Sequence, residues 1–337
     1  MKALKIGVIG CGAIGKEHIK RLQQRIQGAT VVGVSDVDGL SAQTAAQIAG
    51  EQCRVYPDFA SLVADDQIDA VVVTSPGFAH KDAVLEAVKA GKPVFCEKPL
   101  ATTAADCLAI VEAEVAQGRK LTQVGFMRRY DKGYQQLKAL IESGAYGQPL
   151  LAKCTHRNPM VDESYSTQMA VNDTAIHEID CMHWLLADDW ESVQVMIGKS
   201  TVHAHAKLQD PQVMIFKSRN GLIVMLEVFV NCRFGYDINC EVVCEDGVIH
   251  LPNPAFPLIR QDGYLRTAIE QSWINRFIDA YDVELQDWVD GIFANCMNGP
   301  SAWDGYMAAV TSDALIRSQA SGLVEKVNLV PRPALYQ

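Results

Sequence analysis

The chain has 337 residues, 49% hydrophobic and 21% charged, which is material for two domains with buried cores and excludes a disordered protein. A formal net charge of −10 with no basic block argues against binding a phosphate backbone, so nucleic acid is excluded as a partner. No apolar run approaches the ~20 residues of a membrane span, and Met1-Lys2-Ala3-Leu4-Lys5 runs into a strand rather than a signal peptide, which predicts a cytoplasmic protein.

Lys5–Ile9 reads as a short apolar strand, followed by Gly10-Cys11-Gly12-Ala13-Ile14-Gly15 and a helical run through Ile19, Leu22 and Ile26. Strand, glycine turn and helix come in the order a dinucleotide site requires. Gly10 permits the tight turn, Gly12 lets the backbone approach a pyrophosphate, Gly15 lets helix and strand pack closely, and Ala13 and Ile14 lie between them at the helix start. A second strand, 29–35, ends at Asp36, a carboxylate that accepts from a ribose diol and repels a 2′-phosphate, favouring NAD over NADP. Asp36-Val37-Asp38-Gly39 also has plain turn chemistry. A helix through Ala45 and Ile48, a strand at 70–73, a helix at 79–88, a strand ending at Glu97-Lys98 and a helix at 103–115 continue the alternation, which predicts a doubly wound parallel sheet.

Thr74 and Ser75 leave the third of these strands where the cofactor crevice should lie, and His80 either neighbours the ribose or begins a helix. Pro93-Val94-Phe95-Cys96-Glu97-Lys98-Pro99 is a buried strand that delivers a carboxylate and an ammonium at the sheet edge, where ligand crevices form. Lys98 is the first catalytic candidate; an ordinary Glu-Lys pair ending a strand is the plain alternative. Thr102 is the expected N-cap of the helix that follows.

Residues 121–125 read as the last strand of the first domain, placing the boundary near 124 and giving domains 1–124 and 125–337. A helix at 131–143 closed by Gly144 leads to a strand at 150–155 and then His156-Arg157-Asn158-Pro159, where His156 and Asn158 have the spacing of strand neighbours on one face. Such a donor-rich strand end suits a polyhydroxy ligand. A helix opens at Asn172 and runs to about Leu186; Asp173, His177, Asp180 and Trp184 form one polar stripe, expected to face away from the main core. In the first turn the positive helix end holds the His177 imidazole neutral while Asp173 pulls the other way, leaving a base matched to a pH of about 6.5.

Strands at 192–197, 212–217, 222–230 and 236–243, with Asn220-Gly221 and Asp246-Gly247 as hairpin turns, predict a large, mostly antiparallel sheet. Both faces of 222–230 are apolar, so cover is expected on each, from helices and from a second subunit. Residues 252–271 read as a long loop, 274–293 and 303–318 as helices, and 323–329 as a last strand. The 10 cysteines are scattered without a Cys-x-x-Cys pair and read as reduced thiols. No metal is predicted, because His177-Glu178 is followed by His183 and lacks zinc-ligand spacing.

Gly10-x-Gly12-x-x-Gly15, Glu97-Lys98-Pro99 and Asp173-x-x-x-His177, in that order and on those elements, resemble the glucose-fructose oxidoreductase/inositol dehydrogenase family over essentially the whole chain. The resemblance implies a Rossmann domain plus an α+β substrate domain, NAD as cofactor and a homotetramer. It implies Lys98, Asp173 and His177 as the catalytic group, with Glu97, Thr74, Ser75 and His80 on the cofactor side. Substrate contacts are implied for His156, Asn158, Tyr236 and Arg128, the last in Gly125-Phe126-Met127-Arg128-Arg129-Tyr130-Asp131. The activity implied is oxidation of a cyclic polyol, myo-inositol first, with scyllo-inositol, chiro-inositol or a related sugar as alternatives. An NAD-dependent glycoside hydrolase of the same fold and a non-catalytic dinucleotide sensor are the other readings.

Overall fold

The protein is described by a computed structural model covering residues 3–337. Two compact units result: a first running to Phe126 that also takes in 281–309 and 329–337, and a second made of 127–280 and 310–328. The expected domains, 1–124 and 125–337, are each one stretch; the compact units are not. Leu285, Trp288 and Val289 belong to the same fully buried cluster as Ile6, Val8, Val34 and Phe95, and this shared core draws the late segment into the first unit.

The first unit begins β1 (Leu4–Ile9), α1 (Ala13–Gln24), β2 (Ala29–Ser35), α2 (Gly39–Ala49), β3 (Arg54–Tyr56) and α3 (Phe59–Ala64). It continues β4 (Ala70–Val73), α4 (His80–Lys89), β5 (Val94–Glu97), α5 (Ala104–Gln117) and β6 (Thr122–Gly125). The strands lie in the order β3-β2-β1-β4-β5-β6, all neighbours parallel. The order reverses between β1 and β4, and a crevice opens there beyond the strand ends. β4, β5 and β6 are buried along their whole length, as strands covered on both faces must be. Asp38, Asp58 and Thr103 cap α2, α3 and α5 by accepting from first-turn amides. The cap of α5 is therefore Thr103, not Thr102, because the helix starts one residue later than the sequence pattern indicates.

In the second unit, α6 (Lys132–Glu142) is capped by Asp131 and leads to β7 (Pro149–Arg157). A wide π-type turn at 170–175 runs into α7 (Ile176–Leu186). Then come β8 (Trp190–Ile197), β9 (Gln212–Ser218), β10 (Ile223–Phe229), β11 (Asp237–Cys244) and β12 (Val248–His250). With the late strand β15 (Glu325–Lys326) at one edge, the sheet order is β12-β11-β7-β10-β9-β8-β15, antiparallel apart from the parallel pair β7–β10. The region 252–271 holds a small hairpin, β13 (Ile259–Gln261) and β14 (Tyr264–Arg266). Asp262 and Gly263 have φ of 53° and 77°, the Asp-Gly turn that suits a two-residue hairpin loop. The surrounding prolines mask that signal in the sequence.

The chain ends with α8 (Trp273–Ala294), α9 (Ala302–Ser321) and β15 (Glu325–Lys326), which is all that forms of the strand expected at 323–329. In the second sheet one face is buried through Cys154, His156, Leu226, Val228 and Cys240. Met182 of α7 lies 3.3 Å from the Cys154 Sγ and covers that face. The opposite face leaves Leu150 and Met196 exposed.

Candidate active site

The glycine turn is built against the end of β4. Gly10 has φ +95°, and a β-carbon there would lie 2.2 Å from the Ser75 amide nitrogen, so only glycine fits. The Thr74 hydroxyl donates to the Gly10 carbonyl at 2.6 Å. A β-carbon on Gly15 would stand 2.2 Å from that same carbonyl oxygen. Gly12 is different: it caps α1 without a side-chain partner, at φ −71°, and nothing lies within 4 Å of its β-carbon position. Its glycine identity is not needed by the protein's own packing.

Open space at Gly12, followed by the first-turn amides of Ala13 and Ile14, is a cradle for a diphosphate. Asp36 stands below it, accepting from the Cys11 amide at 2.5 Å and the Asp38 amide at 2.8 Å. A carboxylate has lone pairs beyond these two bonds, which fits a ribose diol. These residues fit a bound dinucleotide.

Beside the cradle, His80 is fully buried, its Nδ1 2.7 Å from the Pro99 carbonyl and its Nε2 2.6 Å from the Ser75 carbonyl. Burial pulls this imidazole below its ordinary pKa, against the two carbonyls. His80 thus ties the loop after β4 to the loop after β5. Glu97 is buried as well: one oxygen is 2.7 Å from His18 Nε2 and the other accepts from the Lys98 amide at 3.1 Å. Burial works against its charge, but the His18 bond and the His18 and Lys98 charges outweigh it and hold the carboxyl below its ordinary value. Both oxygens of Glu97 are engaged inside the protein, fixing the strand end that carries the half-buried Lys98.

The second unit gathers another set. Asp173 sits inside the wide turn and His177 is the second residue of α7, both half-buried. The turn beginning at Ala170 moves the helix start upstream, so His177 is not in the first turn and the helix-end argument for its neutral form does not apply. Asp180 departs further from expectation. It is fully buried, with Arg129 Nε 2.9 Å from its Oδ2, so the expected polar stripe does not continue along the helix.

His156, 3% exposed at the end of β7, has its ring centroid 6.1 Å from that of His177 and 5.7 Å from that of Tyr236. The Tyr236 hydroxyl is 3.5 Å from His156 Nε2, and burial pushes that hydroxyl above its ordinary pKa while Arg128 pulls it down. Arg128 is 1% exposed, stacked over Phe277 and ion-paired with Glu178. Asn158 lies one residue past β7, its amide donating to Phe229 and its carbonyl accepting from Cys232, each at 3.0 Å.

The turn residues Gly10, Gly12, Ala13, Ile14, Gly15, Asp36, Thr74 and Ser75 thus meet at one edge of the first sheet, and Arg128, His156, His177 and Tyr236 meet in the second unit. Sequence reasoning misses His18 and Glu178. Nothing in the chain marks His18, which lies one helical turn beyond Gly15; Glu178 is visible beside His177 but reads there as a failed zinc motif.

Two family models match: residues 4–126 fit an oxidoreductase family with an NAD-binding Rossmann fold, and residues 134–250 fit a GFO/IDH/MocA C-terminal domain. The chain belongs to this GFO/IDH/MocA family of NAD-binding oxidoreductases. An inositol 2-dehydrogenase from Pseudomonas fluorescens is 53% identical, covering 99% of both chains. One from Klebsiella pneumoniae is 50% identical over the same shares. The crystal structure of myo-inositol dehydrogenase from Lactobacillus casei, in complex with NAD(H) and myo-inositol, is similar with a TM-score of 0.97 and 43% identity, covering 99% of this chain and all of that one.

Proposed function

We propose that the protein oxidises myo-inositol at one secondary alcohol to 2-keto-myo-inositol with NAD, working as a cytoplasmic homotetramer. The observation that carries this reading is full-length identity of 50–53% to inositol 2-dehydrogenases. It is supported by a glycine turn that leaves room for a diphosphate at Gly12.

Bound NAD supplies the hydride acceptor. The protein's own residues manage the proton and the charge. His177 takes the hydroxyl proton; Asp173 orients the imidazole and biases it toward accepting. Lys98 holds the same oxygen and offsets the negative charge that builds on it as hydride leaves the carbon. His156, Asn158 and Tyr236 hold the remaining hydroxyls. The exposed Leu150 and Met196, with Ile259 and Leu265 of the β13–β14 hairpin, are surface that assembly would cover.

The test is a panel of myo-, scyllo- and chiro-inositol and aldoses with NAD or NADP, followed by absorbance of the reduced cofactor. Turnover of myo-inositol with NAD is expected, and failure to oxidise any inositol overturns the reading. Lys98→Met and His177→Ala should each lose about 10² to 10⁴ in turnover while still binding NADH; near-normal turnover in either removes its assigned role. Sedimentation as a monomer at micromolar concentration would remove the tetramer.

A further inference from the structure

Glu178 directly follows His177, yet its carboxylate is engaged by different partners. It is 2% exposed, ion-paired with Arg128, and its Oε2 lies 3.0 Å from Nδ1 of His156. A buried carboxylate is costly unless its oxygens are occupied by donors. Arg128 supplies one donor, and the His156 ring can supply another only if its proton is on Nδ1.

Two groups compete for that nitrogen. Arg128 Nη2 also lies 3.0 Å from Nδ1, and a bond from it would place the ring proton on Nε2 instead. The carboxylate decides between them: its Oε2 and Nδ1 are 3.0 Å apart, and an unprotonated Nδ1 would set two lone pairs against each other at that distance. The carboxylate, as a charged acceptor, also makes the stronger bond to an N–H.

We propose that Glu178 is a positioning residue for His156: it accepts the Nδ1–H, fixes that tautomer, and leaves Nε2 to accept a hydrogen bond from a substrate hydroxyl. The ligand's identity rests on the polyol reading above, whereas the tautomer rests on the geometry within the second unit. Arg128 then serves the substrate indirectly, holding Glu178 in place. An acceptor nitrogen at this point rewards an O–H and leaves an O-methyl ether without a bond, so it acts as a specificity element for free hydroxyls.

The experiment uses the full-length protein with bound NAD, labelled with ¹⁵N in histidine, and the His156 resonances are assigned by their loss in His156→Asn. Nε2 should resonate as an unprotonated nitrogen and Nδ1 as a protonated one. Glu178→Gln should shift the tautomer toward Nε2–H and raise KM for myo-inositol about tenfold, with kcat changed less than about threefold and NADH affinity kept. A merely structural role would lower stability without moving the tautomer. A proton on Nε2 in the wild-type protein overturns the proposal, and so does a Glu178→Gln enzyme with unchanged KM. Should that variant not fold, the wild-type tautomer decides alone. If Nδ1 carries the proton but no inositol is oxidised, the polyol reading falls and the Glu178 assignment stands; if myo-inositol is oxidised and Nε2 carries the proton, the Glu178 assignment alone falls.

Discussion

Alanine at Gly12 and alanine at Gly10 should fail in different ways. At Gly12 the backbone, φ −71° and ψ −160°, is open to any residue, and no atom lies within 4 Å of the new methyl group. Folding should be unchanged, or favoured by up to ~1 kcal/mol through the less flexible unfolded chain. A diphosphate that approaches these amides meets the methyl group and loses one or two charge-assisted hydrogen bonds of about 1.5–3 kcal/mol each, which weakens NADH binding about 10- to 100-fold or more.

At Gly10 the β-carbon collides with backbone, 2.2 Å from Ser75 N and 2.5 Å from Thr74 C, at φ +95°. The left-handed backbone alone costs about 1–3 kcal/mol, and the ends of β1 and β4 must part as well, so Tm should fall by about 5 °C or more. Thermal unfolding with and without NADH, together with fluorescence titration of NADH, separates the two cases. The reasoning is refuted if Gly12→Ala unfolds as early as Gly10→Ala, or if it binds NADH within twofold of the parent.

Replacing Asp36 by Asn removes the charge that repels a 2′-phosphate, and the ratio of kcat/KM for NAD over NADP should fall by about tenfold or more; an unchanged ratio removes its ribose role. The folded-state pKa of Glu97 lies below its ordinary value of 4.5. Its stabilisation is therefore present above that value and is lost as pH falls through the lower, folded value. The difference in urea midpoint between wild type and Glu97→Gln should thus be full at pH 6 and shrink below pH ~4, and a difference that grows on acidification contradicts the assignment. Thr103→Ala should cost about 1 kcal/mol through the lost cap of α5, with Thr102→Ala within about 0.5 kcal/mol of wild type; equal effects would move the helix start back to the sequence-based position.

The cofactor half was legible because its chemistry is written in backbone requirements. Gly10 and Gly15 are glycines because neighbouring main chain leaves no room, and such demands show as a motif. Alternating buried strands announced the parallel sheet for the same reason. The polar cluster of the second unit was only half legible. His156 and His177 stand out by residue type, but the partners that occupy His156, Arg128 and Glu178, are brought together by sheet register and helix packing rather than by spacing. Asp180 was misjudged because a helical wheel assigns faces without knowing that Arg129 waits on the buried side. The hairpin at 259–266 was overlooked because prolines at 252, 254 and 257 outweighed one Asp-Gly pair.

Leu285, Trp288 and Val289 complete the core of the dinucleotide-binding unit from far along the chain. During synthesis the six parallel strands leave the ribosome well before these side chains exist, so the nascent unit carries an unfilled apolar surface while the second sheet is being made. A fragment ending at Phe126 keeps the glycine turn but leaves uncovered the apolar surface that these side chains fill.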